Sequence, residues 1–247
     1  MLVIIPMAGL SRRFTDAGYA IPKYMLKAGG ISLFRHAVLS FKALFGQAHF
    51  LFVHREVQGT GEFIDSECAA IGLGDIARIT LDAPTRGQAE TVAIGLRQAG
   101  IDKNQPILIF NIDTIRPGYH LPSVVTTADG YLEVFRGHGE GWSFVGPSEG
   151  PGQRVALTTE KRRISDLCST GLYYFRRCDD FLSAFDEELA CGPSDANEFY
   201  VAPLYNRLIQ RGLDIRYELI ESAAVVFSGV PAEYETLCAR IEGIAHD

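Results

Sequence analysis

Three short stretches of the chain, Leu2 to Pro6, Phe50 to Val53 and Ile107 to Phe110, are apolar from end to end. Runs of this length with no polar alternation belong to strands covered on both faces, the situation of a parallel sheet. Ala77 to Leu81 alternates instead and is expected nearer a sheet edge. Between the runs, apolar residues recur at three- and four-residue steps. Leu33, Ala37, Phe41 and Leu44 form one such set and Ala89, Val92, Ala93 and Leu96 another, so each stretch offers one apolar face to a sheet. Strand then helix, repeated, is the βαβ pattern with right-handed crossovers.

The second half reads differently. Strand candidates at Tyr131 to Phe135, Trp142 to Val145, Arg154 to Thr158 and Gly171 to Phe175 follow one another without helices, so the sheet is expected to become mixed there. Helical faces return with Phe181, Ala184, Phe185 and Leu189, then Val201, Leu204, Leu208 and Ile209, then Leu237, Ile241 and Ile244. Gly146 to Gly152, rich in Gly and Pro, is a turn between strands, too short for a domain linker. A length of 247 residues allows one large α/β domain or two small ones.

Charge narrows the function. With 23 basic against 30 acidic residues the formal net charge is −7, so a positive stripe tracking a nucleic-acid backbone is not expected; a polyanion handled here should be small and locally bound. Five cysteines, Cys68, Cys168, Cys178, Cys191 and Cys238, with no Cys-x-x-Cys pair, fit a reduced compartment and read as packing thiols. The apolar opening is too short for a signal h-region and no run approaches about 18 apolar residues. The expectation is a soluble, cytoplasmic protein with no membrane partner.

Three loops carry chemistry. Met7-Ala8-Gly9-Leu10-Ser11-Arg12-Arg13-Phe14 leaves the first strand, with Pro22-Lys23 soon after. A glycine beyond a buried strand permits a tight turn whose N–H groups face phosphate oxygens, and Arg12, Arg13 and Lys23 add positive charge. The plain alternative is a basic surface turn. The sequence matches neither Gly-x-Gly-x-x-Gly nor the Walker pattern. A second loop, Asp82 to Thr91, brings Gly87 and Gln88 to a helix start, where unpaired amides and a side-chain amide can meet a base edge; ordinary capping by Thr85 or Asp82 is the alternative. The third, Asn111-Ile112-Asp113-Thr114, sets a carboxylate at a strand's carboxyl end, suited to Mg2+ or simply to a turn. In an open α/β sheet ligands bind at that edge. No histidine sits in a catalytic pattern; His54 reads as a structural imidazole.

Pro6 to Phe14, Pro22-Lys23, Thr85 to Thr91, Asn111 to Asp113, Glu160-Lys161, Ser169 to Phe175 and Gly229-Val230-Pro231, in this order over nearly the whole chain, resemble the nucleotidyltransferases that act on sugar phosphates. The resemblance implies a Rossmann-like, GT-A-like α/β three-layer sandwich, a single domain over 1–247 with a nucleotide-binding half, 1–115, and an acceptor-binding half, 116–247. It implies transfer of a nucleotidyl group from UTP, dTTP or CTP to a sugar phosphate or similar small phosphate ester, with pyrophosphate released, in supply of surface polysaccharide synthesis. Ala8, Gly9, Leu10, Ser11 and Arg12 would hold the nucleotide phosphates, with Arg13, Lys23 and Lys161 at catalytic positions. Gly87 and Gln88 would meet the base, Asp113 would bind Mg2+, and Glu160, Thr170, Gly171 and Glu198 would line the acceptor site.

Two departures from that pattern stand out. Ser11 occupies the place of a second glycine and Arg12 that of a small hydroxyl residue. The segment Val225 to Pro231 carries no carboxylate where many relatives place a second metal-binding Asp, and Val230 replaces a capping Thr. The metal would then rest on Asp113, phosphates and water, or on another acid such as Glu198 or Glu221, or the chemistry is altered. Asn197 to Tyr205 is expected either to shape the acceptor pocket or to form a helix start with core aromatics. Two other functions keep the same fold: a glycosyltransferase consuming a nucleotide sugar, for which Asn111-Ile112-Asp113 is one carboxylate short of Asp-x-Asp, and a non-catalytic nucleotide-binding regulator. A homo-oligomer is compatible with the sequence but not specified by it.

Overall fold

The computed structural model describes residues 1–193 and 198–244. In chain order the first half runs β1 (Leu2–Met7), α1 (Arg12–Asp16), β2 (Lys27–Ala28), β3 (Ile31–Ser32), α2 (Leu33–Leu39), β4 (His49–Arg55), α3 (Thr60–Ala70), β5 (Ile76–Leu81), α4 (Gln88–Gln98) and β6 (Ile107–Phe110). The second half runs β7 (Thr114–Ile115), β8 (Gly130–Arg136), β9 (Ser143–Pro147), β10 (Val155–Glu160), β11 (Leu167–Phe175), α5 (Cys178–Cys191), α6 (Tyr205–Gln210), β12 (Ile215–Ile220), β13 (Val226–Phe227) and α7 (Pro231–Ile244).

Among the described residues nine strands form one sheet, along the path β10-β9-β11-β6-β1-β4-β5, with β8 against β11 and β12 against β8. The uninterrupted apolar runs become β1, β4 and β6, which are parallel, and the alternating β5 takes the edge beside β4, as its pattern requires. Beyond β6 the sheet turns antiparallel at β11. Successive residues of β1 face opposite layers: Leu2 and Ile4 pack with Val92, Leu96 and Phe181, while Val3 and Ile5 pack with Phe34, Val38 and Phe41. Two helical layers thus sandwich the sheet, and each fully buried Val, Ile or Phe contributes roughly 1.5–3 kcal/mol. Ser32 caps α2, its Oγ accepting the Arg35 N–H at 3.0 Å.

β11 is buried at all nine positions and pairs with β6, β8 and β9. Its register against β8 breaks between Ser169 and Tyr173, where Gly171 sits at φ +88°. Such a bulge turns the strand locally and re-aims its residues.

Several expectations are corrected. α3 and β12 carry no pattern singled out above, and β12 runs parallel to β8. Leu189 is 38% exposed, off the buried face of α5. Cys191 is exposed, so the reading as packing thiols holds for the buried Cys68, Cys168 and Cys178 and fails there. Burial pushes the thiols of Cys68 and Cys178 up, to about 12 and about 11, so these are inert packing groups. Asn197 and the side chain of Ile244 lie outside what the structure describes. No helix among the described residues is long and apolar enough to cross a membrane.

Candidate active site

The loops after β1, β5 and β6 converge on one cavity of about 880 Å3. Its first wall begins where β1 ends. Ala8 is buried, Gly9 and Leu10 are exposed, and Ser11 stands before α1 at φ 50°, ψ 31°. That left-handed conformation suits glycine, which explains how the loop keeps the shape a second glycine would give. Ser11's carbonyl accepts the N–H groups of Phe14 and Thr15, at 2.9 and 3.1 Å, while Arg12 and Arg13 project exposed from the first turn. Phe14, 1% exposed, anchors that turn against Tyr19 and Tyr234.

Lys23 starts a short 3-10 turn, and its Nζ lies 2.5 Å from Asp113 Oδ2. The pair joins the first loop to the third. Ser228 fixes the Asp113 backbone, donating from both N–H and Oγ to the Asp113 carbonyl at 2.8 and 3.1 Å. Asn111 is tied on both sides: its N–H donates to the Gly171 carbonyl at 3.2 Å, and its side-chain carbonyl accepts from Gln88 Nε2. A Cβ at Gly171 would fall 2.4 Å from Asn111 Nδ2, so the absence of a side chain lets these two segments meet.

In the second loop, Gly87 rather than Thr85 or Asp82 occupies the position before α4; the Thr85 hydroxyl contacts the Gly87 carbonyl and Thr91 Oγ1 instead. Asp82 is exposed. The Ala89 N–H, one of the first-turn amides, is taken by the Phe199 carbonyl at 2.9 Å, and the Phe199 N–H donates to the Arg86 carbonyl at 2.8 Å. A Cβ at Gly87 would lie 2.5 Å from the Phe199 oxygen.

The opposite wall comes from β9, β10 and β11. Glu160, 6% exposed, accepts from Ser143 Oγ. Burial, then the neighbouring Glu160 charge, pushes the Tyr173 phenol to about 12, which leaves it a neutral hydrogen-bonding group. Lys161, exposed and at φ 51°, donates from Nζ to the Tyr200 hydroxyl. Thr170 borders the cavity, yet its hydroxyl turns inward to the Glu133 backbone and side chain. Glu133, 1% exposed, is held by Arg116 Nε at 3.0 Å to both oxygens; burial nonetheless raises its carboxyl above the usual value.

Ala8 to Arg13, Lys23, Gly87, Gln88, Asp113, Glu160, Lys161, Thr170, Gly171 and Glu198, the residues that the resemblance assigned to substrates and metal, all border this cavity. Glu221 does not; it is exposed beyond β12. His54 is fully buried, its ring bonded to the Arg55 carbonyl and Thr80 Oγ1, a structural imidazole. Trp142 and Glu233 are among the lining residues that the sequence reading did not single out. Trp142 packs against Phe227 at 4.7 Å between ring centroids. Tyr200, inside the segment expected to shape the acceptor pocket, borders the cavity and faces Lys161. Glu233 caps α7, its Oε2 accepting the N–H groups of Gly229 and Val230 at 2.8 and 3.2 Å. A signal for Glu233 did exist: a Glu two places after a Pro at the first helical position reaches back to the helix start.

No family model and no curated protein sequence matches the chain. Solved structures do. The nucleoside-diphosphate-sugar pyrophosphorylase from Vibrio cholerae RC9 is 47% identical, with a TM-score of 0.92, over 96% of this chain and 99% of that one. The inositol-1-phosphate CTP transferase from T. maritima (14% identity, TM-score 0.72, 98% and 96% covered) and a UDP-glucose pyrophosphorylase complexed with UDP-glucose (14%, 0.77, 98% of each) share the fold. Identity at the level of the first match, over almost the full length of both chains, places this chain in the nucleoside-diphosphate-sugar pyrophosphorylase family.

Proposed function

We propose that the chain joins an NTP to a sugar phosphate, or a similarly small phosphate ester, and releases pyrophosphate. One observation carries this reading. A single cavity large enough for two small substrates is bordered by four cationic side chains, Arg12, Arg13, Lys23 and Lys161, in a chain whose net charge is negative. The whole chain acts as one catalytic unit on this reading, since the cavity draws on residues from 6 to 233.

The chemistry needs no general base. A phosphate ester is already ionised at neutral pH, so one of its oxygens bonds to the α-phosphorus as the α–β bridging bond breaks and pyrophosphate leaves with the electron pair. The protein's task is to hold two polyanions in line and to offset charge on the leaving group. Arg12, Arg13 and the Gly9 to Ser11 backbone receive the β- and γ-phosphates. Lys23 stands between them and Asp113, and Lys161 takes the acceptor phosphate. Gln88, steered by Asn111, meets the base of UTP, dTTP or CTP, while Glu160 and Glu198 face the acceptor's hydroxyl groups.

Mg2+ fits the residues present. A Cβ at Gly229 would lie 3.0 Å from Asp113 Oδ2 and 3.6 Å from Glu233 Oε2, so two carboxylates border a space kept open by a glycine. Two carboxylates with phosphates and water are an ordinary donor set for this ion. Asp113 and Glu233 would hold it, Glu233 standing in for the acid missing before Gly229. When bound, the ion would neutralise phosphate charge. The purified chain, given each of UTP, dTTP, CTP and ATP with Mg2+ and a panel of sugar and polyol phosphates, should release pyrophosphate with at least one pair. Release with none refutes the reading.

A further inference from the structure

Lys161 is an exposed side chain on a four-carbon stem, and such an ammonium is ordinarily dispersed over many rotamers. Here it is not left to itself. Nζ donates to the Tyr200 hydroxyl and lies 4.7 Å from the centroid of the same ring. The Lys161 backbone, at its left-handed φ, is pinned by an N–H to the Trp142 carbonyl at 2.9 Å.

Tyr200 is in turn fixed from the other side of the cavity. Its neighbour Phe199 is 3% exposed, with its ring between the Arg86 guanidinium, 5.0 Å away, and Phe185, 5.6 Å away. Both backbone groups of Phe199 are bonded to the loop that carries Gln88, at Arg86 and Ala89. Gly87 permits that approach. Tyr200 therefore stands on a rigid support that belongs to the nucleotide loop, while its hydroxyl reaches the acceptor wall. Glu198 is the phenol's other hydrogen-bonding partner, and burial followed by that contact keeps the group well above the ordinary tyrosine value, so the hydroxyl persists at working pH.

We propose that Tyr200 is a positioning residue for Lys161: its hydroxyl and ring hold the ammonium where the acceptor phosphate must lie, from an anchor set by the nucleotide loop. This rests on the reading of Lys161 as the acceptor-phosphate contact. Fixing one long side chain before the ligand arrives removes part of the ordering cost of binding, so the effect of Tyr200 should vanish when Lys161 is absent.

The test is a double-mutant cycle on inorganic phosphate binding. It is read by the fluorescence of Trp142, the chain's one tryptophan, whose ring borders the cavity and whose carbonyl holds Lys161. Tyr200→Phe keeps the ring and removes the hydroxyl. It should weaken phosphate binding by about 5- to 10-fold, on the scale of one charge-assisted hydrogen bond, and by less than about twofold in a Lys161→Met background. Equal factors in both backgrounds, or no effect of Tyr200→Phe beside an intact Lys161, overturn the positioning role alone. A Lys161→Met chain that binds phosphate as well as the parent overturns the assignment of Lys161 itself, and the positioning role with it. With an NTP and sugar phosphate that release pyrophosphate, Tyr200→Phe should raise KM for the sugar phosphate and leave KM for the NTP unchanged; a rise confined to the NTP overturns the proposal.

Discussion

Substituting Gly87 by alanine tests the closest backbone approach around the site. The added Cβ would meet three atoms of the Phe199 backbone, its oxygen at 2.5 Å, nitrogen at 2.6 Å and carbonyl carbon at 2.9 Å. None of these can rotate away as a side chain could. Gly87 also lies at φ 138°, ψ 174°, a region that residues with a Cβ avoid at about 1–3 kcal/mol. If the loop shifts to relieve the clash, the bonds Phe199 N–H to Arg86 and Ala89 N–H to Phe199 are stretched or lost. At about 1 kcal/mol for each hydrogen bond, the total comes to roughly 3–5 kcal/mol. For a chain of this size that is a fall in Tm of roughly 6–20 °C. Urea denaturation followed by circular dichroism gives the free energy, and Gly9→Ala serves as the control, because a Cβ at Gly9 meets nothing within 4 Å. A Gly87→Ala chain that loses less than about 1 kcal/mol, or a Gly9→Ala chain that loses as much, refutes the packing argument.

Glu233→Gln keeps the oxygen that caps α7 and removes the charge, so Tm should stay within about 2 °C while the Mg2+ concentration for half-maximal pyrophosphate release rises about tenfold; an unchanged Mg2+ requirement removes Glu233 from the metal site. Ser11→Gly should leave stability unchanged or raise it by up to about 1 kcal/mol, because glycine relieves the left-handed backbone but has a freer unfolded state, whereas Ser11→Val should lose more than about 1 kcal/mol. A valine variant with the parent's urea midpoint would count against the strained conformation. Burial raises the Glu133 carboxyl above its ordinary 4.5, so its contribution to stability is full below that value and is lost as pH rises through the raised one. Glu133→Gln lacks this term. The unfolding free energy of the parent relative to Glu133→Gln should therefore decline between about pH 4.5 and neutrality, and a difference that grows with pH over that window contradicts the sign.

The parallel half of the sheet was legible because β1 and β6, and the Phe50 to Val53 centre of β4, are apolar without interruption, a pattern few other environments tolerate. The loops leaving them were legible for the same reason: once a strand's end is known, the residues after it fall on the ligand edge. β12 and α3 were not. β12 is only half-buried along most of its length and α3 buries four of its eleven residues, so neither has a strong period to read. Within the site, the loops leaving β1, β5 and β6 were found, and Tyr200 fell in a segment expected to shape the acceptor pocket, whereas Trp142 and Glu233 were not found. Each borders the cavity because a distant segment folds against it: Phe227 on Trp142, and Asp113 beside Gly229 and Glu233. The inward turn of the Thr170 hydroxyl was equally unreadable, since it depends on the bulge in β11 and on a buried Glu133 supplied by another strand.

The place of β11 in the sheet bears on how the chain is made. While the ribosome has released only the first half, β5, β4, β1 and β6 can assemble as a parallel sheet, yet Ile107 to Phe110 then present a bare, wholly apolar margin. That margin is closed by residues 172–175, more than sixty positions later in synthesis. β8 and β9 also depend on the same late strand. A nascent or truncated chain ending before Phe175 would carry an open sheet edge ready to pair with another copy. Aggregation should accordingly be the fate of fragments cut between β6 and β11.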